Sequence, residues 1–389
     1  MQWNLKKTWL GLAAPLAVLT TLLNAADNSG QIRNLENRVT ALEQRRGQTG
    51  LMNPPANPTV KHGDDLFLFG DLLYWTANQG GMPLGVVNDN TPLNLSNAKI
   101  TSLKGQWNFG SRVGIGYVLP HDGWDLDLSW LHFNTGSHRK VLHSNKHKFV
   151  FPSIIPGGDP LGGFYGYARK ASGKWSLYFN QLDLDLGRDF FVSRWLTLRP
   201  HGGIRGDWLR QGILAKFKNF SELPSGGREA PIPPENQVKV RYKDRWWGVG
   251  LESGIDTQWN LGAGWSIFCD LAGAILWGRH NIRLIDKDKP PATITDISTS
   301  LPKGKYAKVK EQLRRVAHPI LDLALGLRWD WKFDDDRFHL GLQAGWENHV
   351  YFSQNQFPFF PNVRNRGAFY ANQGDLTFQG WTFGALFEF

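Results

Sequence analysis

From about residue 64 to the end, apolar and polar residues alternate with period two, segment after segment. Period two belongs to the β-strand, whose successive side chains point to opposite faces. Counting back in twos from Phe389 gives Phe387, Ala385, Phe383 and Trp381. Leu386, Gly384, Thr382 and Gly380 form a second row that is small or polar apart from Leu386. Chain ends fray, so a regular apolar row running to the terminal residue needs a reason. A closed barrel supplies one, because its last strand pairs with its first and leaves no open edge. Taken alone, the segment also fits an ordinary hydrophobic strand of a soluble domain.

Nine earlier segments carry the same alternation, although the first, near Leu66–Trp75, is apolar on both faces in part. The eighth is the clearest, with Leu321, Leu323, Leu325, Leu327, Trp329 and Trp331 against Asp322, Ala324, Gly326, Arg328 and Asp330. Polar rows elsewhere carry Arg112; Asp125 and Asp127; Asp183 and Asp185; Arg199, His201, Arg205 and Asp207; Glu252 and Asp256; Asp270; and Glu347. Short turns at Pro120–Gly123, Phe191–Arg194, Asn260–Gly264 and Asp334–Asp336 alternate with long connections, roughly 77–104, 137–173, 210–240, 280–316 and 350–374. This layout predicts an all-β fold, an antiparallel transmembrane β-barrel of about ten strands with both ends on the turn side. A further hairpin within 137–173 would make it twelve. Trp247 and Trp259, like Trp265 and Trp277, stand twelve residues apart on one face. At about 3.3 Å per residue and a tilt of about 45°, that separation rises about 28 Å, one outer-membrane apolar band. A soluble sandwich has no reason for such pairs on successive strands.

The N-terminal part reads differently. Residues 1–25 have a charged start at Lys6 and Lys7, an apolar core from Trp9 to Leu23, and small residues at Ala25 and Ala26. That is the order of a removable secretory signal. In 27–46, Ile32, Leu35, Val39 and Leu42 follow a three–four spacing, the seam of a coiled coil. Arg38, Val39, Leu42 and Glu43 match a pattern associated with three-stranded coils, which would make a homotrimer. A solvated amphipathic helix fits equally. Residues 47–63 are rich in Gly and Pro and read as a linker, leaving 64–389 for the barrel.

Composition narrows the class. Mean hydropathy of −0.37 excludes a helical membrane protein but suits a barrel, which confines its apolar residues to one face. A net charge of +10 raises nucleic acid as a partner. The bases cluster between strands, however, with no recognition helix or zinc spacing, so no nucleic acid is expected. Cys269, the single cysteine, excludes an internal disulfide.

Several stretches in order, GDLLYW, RVGIGYVLPHDGWDLDLSW, LDLDLGRDFFVSRWLTLRPHGGIRGDWL, WWGVGLESGIDTQW and GDLTFQGWTFGALFEF, resemble the Legionella-type major outer membrane protein family across nearly all of 64–389. The resemblance implies an outer-membrane barrel with porin or surface-protein function. It brings no catalytic residues. The cysteine-rich, disulfide-linked behaviour frequent in that family does not carry over to a chain with one Cys.

If the apolar rows face lipid, the candidate pore-lining residues are Arg112, Asp125, Asp127, Asp183, Asp185, Arg199, Arg205, Glu252, Asp256, Asp270, Asp322, Arg328, Asp330 and Glu347. Charges of both signs on a narrow wall either order water for small polar solutes or pair and close the bore. Conduction is the expectation, because many inner positions are Gly or Ala and leave space. The basic stretches 138–174 and 279–315 are expected as extracellular loops, facing lipopolysaccharide phosphates or drawing in anions. Adhesion by the loops is compatible with a pore. A rim hydrolase built on Asp207, Glu347 and His349 is the competing enzyme reading, and no enzyme is expected. His138, His143 and His147 match no established metal spacing, so neither metal nor cofactor is expected.

Overall fold

The computed structural model describes residues 38, 56, 60, 65–89, 98–119, 122–138, 140–144, 148–154, 167–221, 237–289, 304–359 and 369–389. Residues 1–54 form one unit and 55–389 another. The expected signal segment 1–25 lies outside the described residues, as does all of 27–46 except Arg38 and all of 47–63 except Ala56 and Val60. The coiled-coil seam therefore lies outside them too.

Ten strands close into a ring: β1 (Leu66–Gln79), β2 (Asn108–Val118), β3 (Trp124–Gly136), β4 (Tyr167–Arg188), β5 (Leu196–Ser221), β6 (Gln237–Gly262), β7 (Trp265–Lys289), β8 (Gly304–Phe333), β9 (Phe338–Tyr351) and β10 (Leu376–Glu388). Each pairs antiparallel with its neighbours in sequence, and β10 returns to β1 in register from Phe67↔Glu388 to Gln79↔Leu376. Leu66 and Phe389 exchange backbone bonds at 3.2 and 3.0 Å, so the closing pair runs to the last residue. That is the use of the aromatic ending.

The ring has ten strands, not twelve. Among the described residues, the connection 137–173 adds, before β4 begins at Tyr167, the short strands Lys140–His143 and Lys148–Pro152; both pair with the far end of β4, and Lys148–Pro152 also pairs with Pro83–Asp89, which pairs with Ala98–Ser102. A second correction concerns 210–240 and 280–316, expected as loops. β5–β6 and β7–β8 continue as ladders to Lys218↔Gln237 and Asp288↔Gly304, so most of those stretches are strand. Periodicity there persists, but its outer row is basic and hid the alternation.

The turns use residues that tolerate positive φ. Asp122 and Gly123 both stand at 68°, and Asp334, Asp335 and Asp336 at 55°, 53° and 66°. Arg188 Nε donates to the Asp122 carbonyl at 2.9 Å and ties two turns together.

The apolar rows face outward. Leu323 and Leu325 are 46% and 54% exposed, and the four spaced tryptophans, Trp247, Trp259, Trp265 and Trp277, all stand on the outer wall at 41–51%. Toward the turn end, Trp124, Trp195, Trp259, Trp265 and Trp331 form one outer belt. Toward the loop end, Trp107, Trp130, Trp208, Trp247, Trp277, Trp346 and Trp381 form another. The blurred first strand is resolved by its register: Leu68, Leu72 and Tyr74 are exposed outside, while Asp71, Leu73 and Trp75 are buried inside.

Removing Trp381–Phe389 strips β1 of its partner from Leu66 to Tyr74 and leaves an open edge. On unheated detergent gels the full chain is expected to run as a compact, heat-modifiable form, and the truncated chain to lose it.

Candidate functional site

All fourteen charged residues expected at the inner wall face the interior, where all but Asp185, Glu252 and Asp270 join in tiers. At the turn end, His339 bridges Glu388 and Asp330 at 3.0 and 2.9 Å, and Arg328 Nε donates to Asp330 at 2.8 Å. Above it, Arg199 donates to Asp127 at 2.8 Å, to Asp256 at 3.0 Å and to Asp125.

The next tier is continuous across the bore. Arg205 donates to Asp183 at 3.0 Å and to Asp322 at 2.5 Å; His349 joins Asp322 at 2.8 Å to Glu347 at 3.1 Å; Arg112 joins Glu347 at 2.5 Å to Asp71 at 3.2 Å. This chain links β4, β5, β8, β9, β2 and β1. Asp270 faces inward on β7, opposite Ala324. Buried carboxylates and guanidinium groups are tolerated only when paired in this manner.

Two expectations are corrected here. Asp207, Glu347 and His349 are not at a rim. Glu347 and His349 do form a His–acid pair, but inside this tier, and Asp207 is fully buried and accepts from the Tyr351 hydroxyl at 2.8 Å. Nor are the inner glycines vacant. A Cβ on Gly114 would meet the Phe69 ring at 2.2 Å, one on Gly384 would meet Asp71 Oδ1 at 2.2 Å, and one on Gly248 would meet Trp246 at 2.5 Å. Gly114 and Gly384 each lie beneath a side chain from a neighbouring strand, and Gly248 beneath the ring of Trp246 from its own strand.

Beyond the charged tiers an aromatic layer crosses the barrel. Phe378 lies 4.8 Å from Phe179, 5.7 Å from Tyr351, 5.9 Å from Phe133 and 6.5 Å from Trp75 between ring centroids. Tyr351 continues to Trp246 at 6.5 Å, which packs against His318 and His280 at 5.4 and 6.0 Å. These rings come from eight of the ten strands, and none is more than 2% exposed. His280 Nδ1 donates to Asp244 at 2.8 Å and His318 Nδ1 to the Phe352 carbonyl at 3.0 Å, while their Nε2 atoms face each other at 2.8 Å. Further toward the loop end, Met82, Leu84, Trp175, Phe217, Tyr242 and Phe357 extend the layer into a buried core.

The sequence reading missed this layer, although a signal for it existed. Phe133 has the parity of Asp125 and Asp127, Phe179 that of Asp183, Trp246 that of Glu252, and Tyr351 that of Glu347. Parity carried past the loop-end tryptophans places every one of them inside.

Where it is described, the basic stretch 279–315, expected as a loop, is part of a strand wall. On the outer faces of β5–β8, just beyond Trp208, Trp247 and Trp277, paired rows bring together Arg210 and Arg245, then Lys243, Arg283 and Lys310, then Lys216, Lys239 and Lys287. Lys243, Arg245, Arg283 and Lys310 are exposed and point away from the bore. Burial, followed by repulsion from Lys216, Arg241 and Lys287, lowers the Lys239 ammonium from its ordinary range. Of the histidines considered for metal, His138 and His143 are exposed and His147 lies outside the described residues. Among the described residues, neither belongs to a group of metal-ligand side chains.

Residues 62–389 match the family model described as the Legionella pneumophila major outer membrane protein precursor. The chain belongs to this family. It is therefore an outer-membrane β-barrel protein, as the alternation and the resemblance led one to expect. No curated protein matches it. Among solved structures it is similar to the outer membrane protease OmpT of Escherichia coli, at 10% identity and a TM-score of 0.35, over 84% of this chain and 98% of that one. It is similar also to a major outer membrane protein of Thermus thermophilus, at 10% identity and 0.27, over 83% and 99%. Ail of Yersinia pestis follows at 10% identity and 0.21, over 83% and 98%. Likenesses of this degree carry no argument about activity.

Tyr351→Phe deprives buried Asp207 of its hydroxyl donor. The expected cost is about 1–3 kcal/mol in reversible urea unfolding from lipid vesicles. Phe378→Ala, which empties the middle of the aromatic layer, is expected to cost about 3–5 kcal/mol in the same measurement.

Proposed function

We propose that this family member is a surface protein of the outer membrane whose bore is sealed at rest, and that its basic outer wall binds lipopolysaccharide. The reading rests above all on the buried aromatic layer from Trp75 to Trp246, which leaves no inner side chain of those eight strands facing water at that level. Apolar rings packed at interior density hold no conducting water. The charged tiers below are paired, which suits a filled barrel of this strand number.

The wall suits its proposed partner. Its cations face outward directly beyond an aromatic belt, where the phosphates of an outer-leaflet lipid would lie. For the same reason they suit an anion funnel poorly. In this reading the signal segment 1–25 is removed, the long connections face outside, and the coil at Ile32, Leu35, Val39 and Leu42 gathers three copies.

A porin-like passage for small hydrophilic solutes is the second reading. It is favoured by the solvent-facing charges of the turn-end half, where the Asp256, Arg328 and Asp330 side chains are 32%, 23% and 21% exposed. It requires the aromatic layer to part.

Single-channel recording in planar bilayers separates the two. The sealed reading expects no steady conductance from folded wild-type protein, and small openings when Phe179 and Phe378 are both changed to Ala. Steady wild-type conductance in well-folded protein would overturn it in favour of the porin-like reading. For the wall, the double variant Lys243→Glu, Arg283→Glu is expected to lower lipopolysaccharide binding at least tenfold, with the salt dependence flattened.

A further inference from the structure

One group of inward side chains is left incompletely partnered by the tiers described above. Asp185 on β4, His201 on β5 and Glu252 on β6 converge between the Arg199 tier and the Arg205 tier, with one ligand atom from each lying within 4.8 Å of the other two. The backbone explains the convergence. Gly203 pairs with Asp185 on one side and with Glu252 on the other. Its missing side chain lets the two carboxylates approach across β5, since a Cβ there would lie 2.1 Å from Asp185 Oδ1. His201 stands two residues along the same face and lies over Gly254, whose Cβ would meet His201 Nε2 at 2.4 Å.

The unsatisfied atoms point to a ligand. Asp185 Oδ1, His201 Nδ1 and Glu252 Oε2 are all buried and accept or donate no hydrogen bond. The Glu252 side chain is only 2% exposed. Arg205 Nε sits 2.5 Å from Glu252 Oε2, but its hydrogen bond goes to Asp183 at 3.0 Å, and the same guanidinium also serves Asp322. Arg205 thus serves Asp183, Glu252 and Asp322, the last shared with His349, while Asp185 converges on Glu252. Buried like charges with orphaned oxygens are costly unless a proton or a further cation joins them.

We propose that Asp185, His201 and Glu252 bind one divalent transition-metal ion of borderline softness, such as Zn2+. One imidazole with two carboxylates suits that class, while an imidazole argues against Ca2+ or Mg2+. His201 has the support that metal-bound histidines use: its Nε2 lies 3.4 Å from Asp256 Oδ1, which orients the ring and leaves Nδ1 facing Asp185 at 3.9 Å. Bond lengths of about 2.0–2.2 Å require the three ligand atoms to draw in by roughly an ångström, within reach of side-chain rotation. The half-open turn-end side, where Asp256 is 32% exposed, supplies the entry path. A metal here would cross-link three adjacent strands inside the barrel, whether or not the bore conducts.

The test uses the full folded protein in detergent, stripped with a chelator and titrated with Co2+ as a spectroscopic probe. Expected are visible d–d bands saturating at one ion per barrel, displacement by Zn2+, and a rise in thermal unfolding temperature with either ion. His201→Gln and Asp185→Asn, each verified as folded by heat-modifiable gel mobility, are expected to weaken Co2+ at least tenfold. Asp330→Asn, an inner-wall acid outside the group, should bind as wild type. Absence of saturable binding overturns the proposal. So does equal affinity in the His201→Gln variant, which would mark diffuse binding to the acidic wall. Should both single variants fail to fold, Glu252→Gln is read instead against the same wild-type spectrum.

Discussion

A backbone amide or carbonyl in hydrocarbon has no water to bond, and each unpaired one costs several kcal/mol. The pairing of β10 with β1, from Phe67↔Glu388 to Gln79↔Leu376, removes both edges of the sheet at once. Closure then divides every strand into an outer and an inner row. The outer row meets lipid and takes Leu, Ile, Phe and Trp. The inner row receives whatever the outer row must refuse, and it has to satisfy those groups without bulk water.

The interior shows how that demand is met. Arg199 and Arg205 each gather several carboxylates, and His349 and Arg112 carry the bonding on to Asp71. Glycines on the inner rows make the crossings possible, because a long side chain from one strand lies over its neighbour's bare backbone. What reads as vacancy in a list of residues is contact in the barrel. Around Gly203 this satisfaction stays incomplete for three side chains at once, and their convergence there is itself chemical information.

Toward the loop end the inner rows change from charged to aromatic while the outer row changes from apolar to basic. Both switches occur near the belt of Trp208, Trp247 and Trp277. Past that level the barrel is surrounded by polar medium, so it inverts into an ordinary soluble β-structure with an apolar inside and a charged outside. The inversion brings the buried aromatic layer and the cationic wall to the same level, which is why the two parts of the proposed function belong together.

The family, the ring of strands and the face of each charged residue expected at the inner wall were legible along the chain, because alternation is a local property and one outer wall touches one solvent; the basic outer rows beyond the tryptophan belt were not, because there both faces change character. The eighth strand, with Leu321 to Trp331 against Asp322 to Asp330, needed no tertiary information at all. Which residues meet across the bore was not legible. Asp185, His201 and Glu252 lie far apart in sequence, and only the register on either side of Gly203 brings them within reach. Likewise Phe378 and Phe179 meet only after closure. Period two assigns a side chain to the inside; the stagger between strands, a collective property of the closed ring, decides its height and therefore its partner.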